Sequence, residues 1–315
     1  MKLIIQIPCY NEETTLPLAL KELPRKVKGF KKVEWLIVND GSEDRTVDVA
    51  KQHGVDHIVS YTRNKGLAKA FLAGIDACVR NGADVIVNTD ADNQYNAADI
   101  PKLVAPILEG KADIVIGARP IDEIAHFSVI KKLLQKAGSA MVRYLSNTPV
   151  PDAPSGFRAF TREAAMRLNV FNNYTYTIET IVQAGQKNMA VISVPIRVNG
   201  QLRASRLIKS IPSYIFRTMV TLFRIVVVYK PFKFFMTTGL LVFSAGAFLG
   251  IRFLFYYFCG DGAGHIQSLI LASVLLGIGF QTILSAFIAD LISVNRKLVE
   301  EVQYKMKCIE CGEKK

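Results

Sequence analysis

Acidic side chains are absent from one long stretch of this 315-residue chain: between Ile181 and Gly260 there is no Asp or Glu. The same stretch holds ten basic residues, Lys187, Arg197, Arg203, Arg206, Lys209, Arg217, Arg224, Lys230, Lys233 and Arg252. The rest of the chain carries 29 basic and 27 acidic residues, so this block supplies ten of the twelve excess positive charges. The block runs into the most apolar part of the sequence. Basic charge beside apolar sequence points to an anionic membrane surface rather than to nucleic acid, and no base-stacking platform for a nucleic acid is evident. A cysteine framework is also lacking. Cys9, Cys78, Cys259, Cys308 and Cys311 are odd in number, which excludes a fully paired disulfide scaffold and reads as reduced thiols facing the cytosol. No secretory signal is expected, because the N-terminal apolar run from Leu3 to Ile7 is too short and ends at Pro8. Charged residues make up only 21% of the chain against 50% hydrophobic ones, and mean hydropathy is +0.23. Those values exclude a disordered chain and argue against a wholly soluble domain.

Three zones are present. Residues 1–200 alternate short β-rich runs with amphipathic stretches. Strands are expected at 3–7, 33–38, 55–60, 83–88, 112–116, 155–160 and 190–196, several of them continuous apolar runs suited to burial on both faces. Helices are expected from about Thr14 to Lys26, from Asp44 to a stop at Gly54, and over 66–80 with a stop at Gly82. This alternation implies an α/β sandwich with a mostly parallel sheet. In such sheets ligands sit at the carboxyl ends of the strands.

The second zone, 201–230, contains a basic loop followed by an apolar stretch. Placed on a helix, Lys209, Ser213, Arg217, Thr221 and Arg224 share one face, while Ile211, Ile215, Met219, Leu222, Phe223 and Val226 fill much of the rest. A helix lying in the membrane interface has that pattern. The alternative is a core helix covering the sheet.

The third zone, 231–290, holds apolar stretches at 234–258 and 266–289. Each would reach ~36 Å as a helix, against a hydrocarbon core of ~30 Å. The short loop from Cys259 to His265 makes them a transmembrane hairpin. Lys230 and Lys233 before it, and Arg296 and Lys297 after it, put both ends of the hairpin on the cytoplasmic side and the loop outside. Arg252 lies within the first helix and is expected to snorkel to the outer headgroups. Gly239, Gly246, Gly250, Gly277 and Gly279 would allow close helix packing. A polar tail, 291–315, ends in Cys308-Ile309-Glu310-Cys311. One such CxxC is half a zinc site, read either as two free thiols on a loose tail or as a metal shared between two chains of a homo-oligomer.

The chemistry concentrates after the apolar runs. Thr89-Asp90-Ala91-Asp92-Asn93-Gln94 follows the fourth strand. Two carboxylates two residues apart form a hard oxygen site suited to Mg²⁺ or Mn²⁺, with phosphate oxygens and water completing the shell. A polar turn is the bland reading. Pro8-Cys9-Tyr10-Asn11-Glu12-Glu13 and Asn39-Asp40-Gly41-Ser42-Glu43-Asp44 follow the first and second strands. A tyrosine ring and the Asp40 carboxylate there would suit a nucleoside, although each run taken alone also reads as a helix cap.

In order, IPCYNEE (7–13), NDGSEDRT (39–46), NKGLAKA (64–70), DADNQY (90–95), IGAR (116–119) and SGFR (155–158) closely resemble the motifs of family 2 glycosyltransferases with the GT-A fold. Within that family the chain looks most like the polyprenyl-phosphate glycosyltransferases, over about residues 1–230. The resemblance implies transfer of a hexose from a UDP- or GDP-sugar to a polyprenyl phosphate at the membrane. It assigns Pro8, Tyr10, Asn11, Glu12, Val38, Asp40, Asp90 and Ala91 to nucleotide binding. Asp90, Asp92 and Gln94 are assigned to the metal, with Asp92 also counted as catalytic. Arg119 is expected to face the lipid phosphate. Lys131 falls where relatives often carry an arginine for the same phosphate, and keeps the charge without the two-pronged geometry. Arg203, Ser205 and Arg206 match the mobile loop that closes over the phosphates. Asn39 departs from the common Asp-Asp-Gly-Ser pattern and leaves Asp40 as the one carboxylate there. Asp152 is the candidate base if the acceptor is a hydroxyl, as in an enzyme that extends a saccharide. A non-enzymatic membrane scaffold is the third reading, and the intact Asp90/Asp92 pair argues against it.

Overall fold

A computed structural model describes residues 1–120, 129–171, 176–200, 211–260 and 262–312. The chain divides into two compact units, Met1–Thr218 with Val302–Lys315, and Met219–Glu301.

The first unit is built on seven strands: β1 (Lys2–Cys9), β2 (Lys32–Asn39), β3 (His57–Ser60), β4 (Val85–Asn88), β5 (Ile114–Ala118), β6 (Arg158–Thr161) and β7 (Val191–Pro195). Their order is β3-β2-β1-β4-β6-β5-β7. All neighbours run parallel except β6, which is antiparallel to both β4 and β5. Each strand expected from the apolar runs is present, with ends shifted by up to three residues. The centre is buried on both faces, as the uninterrupted burial of β1 from Leu3 to Cys9 records. Around it lie α1 (Leu16–Glu22), α2 (Thr46–Gln52), α3 (Leu67–Arg80), α4 (Ile100–Leu108), α5 (Val129–Ser146), α6 (Arg162–Arg167) and α7 (Thr177–Gln186).

Of the three helices read from sequence, α1 is the one that falls short. It stops at Glu22, because Leu23 is extended, the conformation that a following proline, here Pro24, imposes. Helices α2 and α3 end two residues before Gly54 and Gly82, both at positive φ, as the glycine stops implied.

Topology fixes where a ligand can sit. From β1 the chain moves outward through β2 to β3, then crosses to β4 on the other side of β1. That reversal is a switch point, and the crevice it leaves opens at the carboxyl ends of the strands. Cys9 pairs in register with Asn39, and Gln6 with Asn88, so the turns after β1, β2 and β4 share one edge. Because β6 is antiparallel, it starts where its neighbours finish. The Asp152–Phe157 segment that leads into it therefore lies at that same edge.

In the second unit, α8 (Ile211–Tyr229) contributes its last turns, α9 spans Pro231–Phe258, a 3-10 turn covers Gly262–His265, and α10 (Ile266–Glu310) follows. Both α9 and α10 are long and apolar enough to cross a membrane. They pack antiparallel at three of the five expected glycines. A Cβ on Gly239, Gly246 or Gly279 would come within 3 Å of Ile283, Leu276 or Phe243 respectively, whereas Gly277 meets nothing and Gly250 only reaches ordinary contact with Ala272. The Arg252 guanidinium lies over the Tyr256 ring one turn further on.

On α8 the polar face differs from expectation. Thr221 is buried in a stripe with Ile225 and Tyr229, while Met219, Val220 and Phe223 are exposed. Arg296 donates from Nη1 to the Val228 carbonyl at 2.9 Å and covers the Tyr229 ring. It thus binds the carbonyl end of α8, where a cation is favoured, instead of lying free as a flanking charge.

The tail also differs. Helix α10 continues without a break past residue 289 to Glu310. The sequence offers no glycine or proline from Phe280 to Cys311, so nothing stops the helix before Gly312, which has φ +73°. Its last turns belong to the first unit. Tyr304 and Cys308 are buried there, Arg167 stacks on the Tyr304 ring at 4.0 Å, and Lys307 pairs with Asp76 at 2.9 Å. The CxxC segment is therefore docked, not loose. Among the described residues no group of three or more metal-ligating side chains forms.

Candidate active site

The first two turns are laced together. Asn11, at φ +54°, receives a hydrogen bond from Glu43 N and donates its own N–H to Ser42 Oγ, both at 2.9 Å. Glu12 is buried; its N–H donates to Thr46 Oγ1 and its carboxylate accepts from Thr15 Oγ1. Pro8 and Val38 are adjacent in register and buried, whereas Tyr10 is exposed at the strand end.

Asp40 is buried, and its two oxygens accept from Lys65 N at 2.7 Å and Gly66 N at 2.9 Å. The carboxylate thereby fixes the start of α3, where negative charge is favoured. Each oxygen keeps lone-pair capacity for a ligand.

Asp90 and Asp92 lie just past β4 with Ala91 buried between them. Asp92 Oδ1 caps the turn by accepting from Gln94 N at 3.1 Å. Burial, then the charges of Asp92 and Glu12, push the Asp90 carboxyl up to about 7, against the opposing pull of Arg119 and Arg158. Two acidic oxygen donors crowded so that one resists ionisation make a set that a hard divalent cation fits. Gln94 flanks them. Its carbonyl accepts from Asn199 N at 2.9 Å.

Arg119 and Asp152 meet. Arg119 Nε and Nη2 donate to Asp152 Oδ2 and Oδ1 at 2.7 and 2.9 Å, and the Arg119 N–H adds a third bond to Oδ2 at 3.2 Å. Their side chains are 7% and 1% exposed. Although burial opposes it, Tyr95 and the Asp152 pairing raise the Arg119 guanidinium above its usual range. Two residues assigned separate tasks thus form one ion pair beside Asp90. Lys131 lies in α5 with its side chain outside the described residues, and Arg203, Ser205 and Arg206 fall wholly outside them.

Sequence reasoning overlooked the wall behind Asp90. Asn88, the last residue of β4, is fully buried and donates from Nδ2 to the Gly156 carbonyl and to Tyr176 Oη, both at 2.8 Å. It accepts from Gln6 Nε2 at 2.9 Å. Tyr95 Oη accepts from Gly156 N at 2.9 Å. Two polar residues in otherwise apolar strands, Gln6 and Asn88, were the visible signal.

A mostly parallel sheet with a switch point and a carboxylate pair at its carboxyl edge define a fold of the GT-A type. Solved structures of glucosyl-3-phosphoglycerate synthase from Mycobacterium tuberculosis share the fold. The one crystallised with Mn²⁺, uridine-diphosphate and phosphoglyceric acid superimposes with a TM-score of 0.54 at 19% identity, over 70% of this chain and 78% of that one. The model of glycosyl transferase family 2 matches residues 4–168, and the chain belongs to that family; it is a glycosyltransferase. Among curated relatives, an uncharacterized protein of Methanocaldococcus jannaschii is 30% identical over 62% of this chain and 81% of its own. Polyprenol monophosphomannose synthase of Mycolicibacterium smegmatis is 28% identical over 61% of this chain and 76% of its own. Undecaprenyl-phosphate mannosyltransferase of Micrococcus luteus is 27% identical over 62% and 83%.

Proposed function

We propose that this glycosyltransferase moves a hexosyl group from a UDP- or GDP-hexose to a polyprenyl phosphate, with a divalent cation and inversion at the anomeric carbon. The bond from the anomeric carbon to the nucleoside diphosphate breaks as a bond to an acceptor phosphate oxygen forms, and the diphosphate leaves with the electron pair. Asp90 and Asp92, with Gln94, would hold Mg²⁺ or Mn²⁺, which neutralises charge on the leaving diphosphate. Tyr10 stacks on the base, Asp40 accepts from base or ribose, and Pro8, Asn11, Glu12, Val38 and Ala91 shape that pocket. Arg119, Lys131, Arg203, Ser205 and Arg206 receive the acceptor phosphate. Helix α8 lies at the bilayer surface and the α9–α10 pair anchors the chain, with the catalytic unit and both termini cytoplasmic.

The ion pair between Arg119 and Asp152 carries this reading. Both oxygens of Asp152, the candidate base for a hydroxyl acceptor, are already engaged by the buried Arg119 guanidinium. A phosphate acceptor needs no base, because it is already an anion at neutral pH. The exposed Arg224, Met219 and Phe223 on α8 suit a substrate whose charged head emerges from lipid. The names of the polyprenol and undecaprenyl-phosphate relatives support the same acceptor class.

The test is a donor screen on the full-length protein with short polyprenyl phosphate and Mn²⁺, read by mass spectrometry of the lipid fraction. A hexosyl-phosphoryl lipid is expected. Sugar appearing on a hydroxyl acceptor while lipid phosphate is untouched would overturn the proposal in favour of saccharide extension.

A further inference from the structure

The segment Ala153–Arg158 has no role in the reading above, yet it forms the wall against which Asp90 rests. Gly156 is the contact point. A Cβ built on it would lie 3.2 Å from both Asp90 carboxylate oxygens and 3.0 Å from Tyr176 Oη. That is tighter than ordinary van der Waals contact. Gly156 itself is held at both ends of its backbone, its N–H by Tyr95 Oη and its carbonyl by Asn88 Nδ2.

Arg158 holds the turn in shape. It is fully buried. Nε donates to the Ser155 carbonyl at 2.8 Å and Nη2 to the Ala153 carbonyl at 2.7 Å, so one guanidinium ties two carbonyls of the turn. Nη1 reaches the Thr177 carbonyl at 2.9 Å and Thr180 Oγ1 at 2.7 Å, fastening the turn to α7. None of these partners is a carboxylate. Among neutral side chains none carries enough N–H donors for four such bonds, whereas a guanidinium carries five. Burial lowers the Arg158 guanidinium, while Tyr176, Tyr95 and then the Asp152 and Asp90 carboxylates pull it back up through space.

We infer that Arg158 and Gly156 are positioning residues for the carboxylate pair: Arg158 shapes the 153–158 turn, and the bare Gly156 sets where the Asp90 oxygens stand to receive a divalent cation. The inference rests on the proposed metal role of Asp90. It assigns the two residues no contact with substrate. Outer-sphere groups of this kind typically tune metal affinity by ~10–100-fold.

The experiment uses the full-length protein with UDP and Mn²⁺ as probes. The readouts are the unfolding temperature without ligand and the Mn²⁺ concentration that half-saturates the UDP-induced thermal shift. Gly156→Ala and Arg158→Lys are compared with Gly138→Ala, at a helical position where a Cβ meets nothing within 4 Å. Gly156→Ala is expected to raise the Mn²⁺ midpoint at least about tenfold, Arg158→Lys to raise it in the same direction, and Gly138→Ala to leave it unchanged. Arg158→Lys is the variant at risk of misfolding, and Gly156→Ala carries the test without it. If Gly156→Ala keeps the wild-type Mn²⁺ midpoint, with or without a lower unfolding temperature, the inference is overturned and the metal reading stands. If the wild-type protein shows no Mn²⁺-dependent shift, the metal reading falls and this inference with it.

Discussion

Arg119 grips both carboxylate oxygens of Asp152, Nε to Oδ2 at 2.7 Å and Nη2 to Oδ1 at 2.9 Å, with both side chains withdrawn from solvent. The pair joins the end of β5 to the segment that enters β6, two points 33 residues apart in the chain. It makes acceptor chemistry testable at a single position.

Asp152→Asn would leave a buried guanidinium without its counter-charge. A loss of about 3 kcal/mol in unfolding free energy is expected, measured by chemical denaturation. Under the phosphate-acceptor reading, KM for polyprenyl phosphate rises as Arg119 loses its anchor, while the UDP–Mn²⁺ thermal shift persists. A general base would show instead as a kcat loss of ~10²–10⁴ at unchanged KM.

Asp92→Asn removes one of two anionic donors at the proposed metal site. Turnover is expected to fall about a thousandfold, corresponding to several kcal/mol of charge stabilisation, and the Mn²⁺-dependent part of nucleotide binding should vanish. Full turnover of the variant in Mn²⁺ would refute the metal role.

Asp99 supplies a pH signature. Burial raises its carboxyl, but Arg197 and Lys102 outweigh that and hold it at about 2 in the folded protein, against an ordinary value near 4. A depressed folded value means the contribution is complete above pH ~4 and is lost as pH falls towards 2. The unfolding temperature should drop across that window, and Asp99→Asn, already lacking the contribution, should drop less. Glu34, held at about 2 by Lys2, Lys32 and His57 despite burial, adds to the same slope and remains in the variant.

The end of α10 is expected to stabilise the first unit. Tyr304→Ala removes a buried ring that Arg167 covers at 4.0 Å, and should cost about 3 kcal/mol by denaturation. Lys307→Glu places like charge beside Asp76 and should cost about 1 kcal/mol. Unchanged stability in Tyr304→Ala would mean the tail is not docked in solution.

Much of this was written in one dimension. Short β-rich runs marked all seven strands, several of them continuously apolar because strands buried on both faces need that, and Gly54 and Gly82 marked helix ends because only the left-handed region closes those turns. The Asp90/Asp92 pair stood out because two charges ended an otherwise apolar strand. Those signals are local, carried by side-chain type and a few residues of spacing.

Tertiary structure alone decided the rest. The Arg119–Asp152 ion pair, the Gly156 contact on Asp90 and the four bonds of Arg158 depend on β6 running against its neighbours, and strand direction leaves no mark in periodicity. Burial of Thr221 and the docking of Tyr304 depend on which neighbour each helix meets. A helix face advertises that it is polar or apolar, but what it touches is set by packing between residues far apart in sequence.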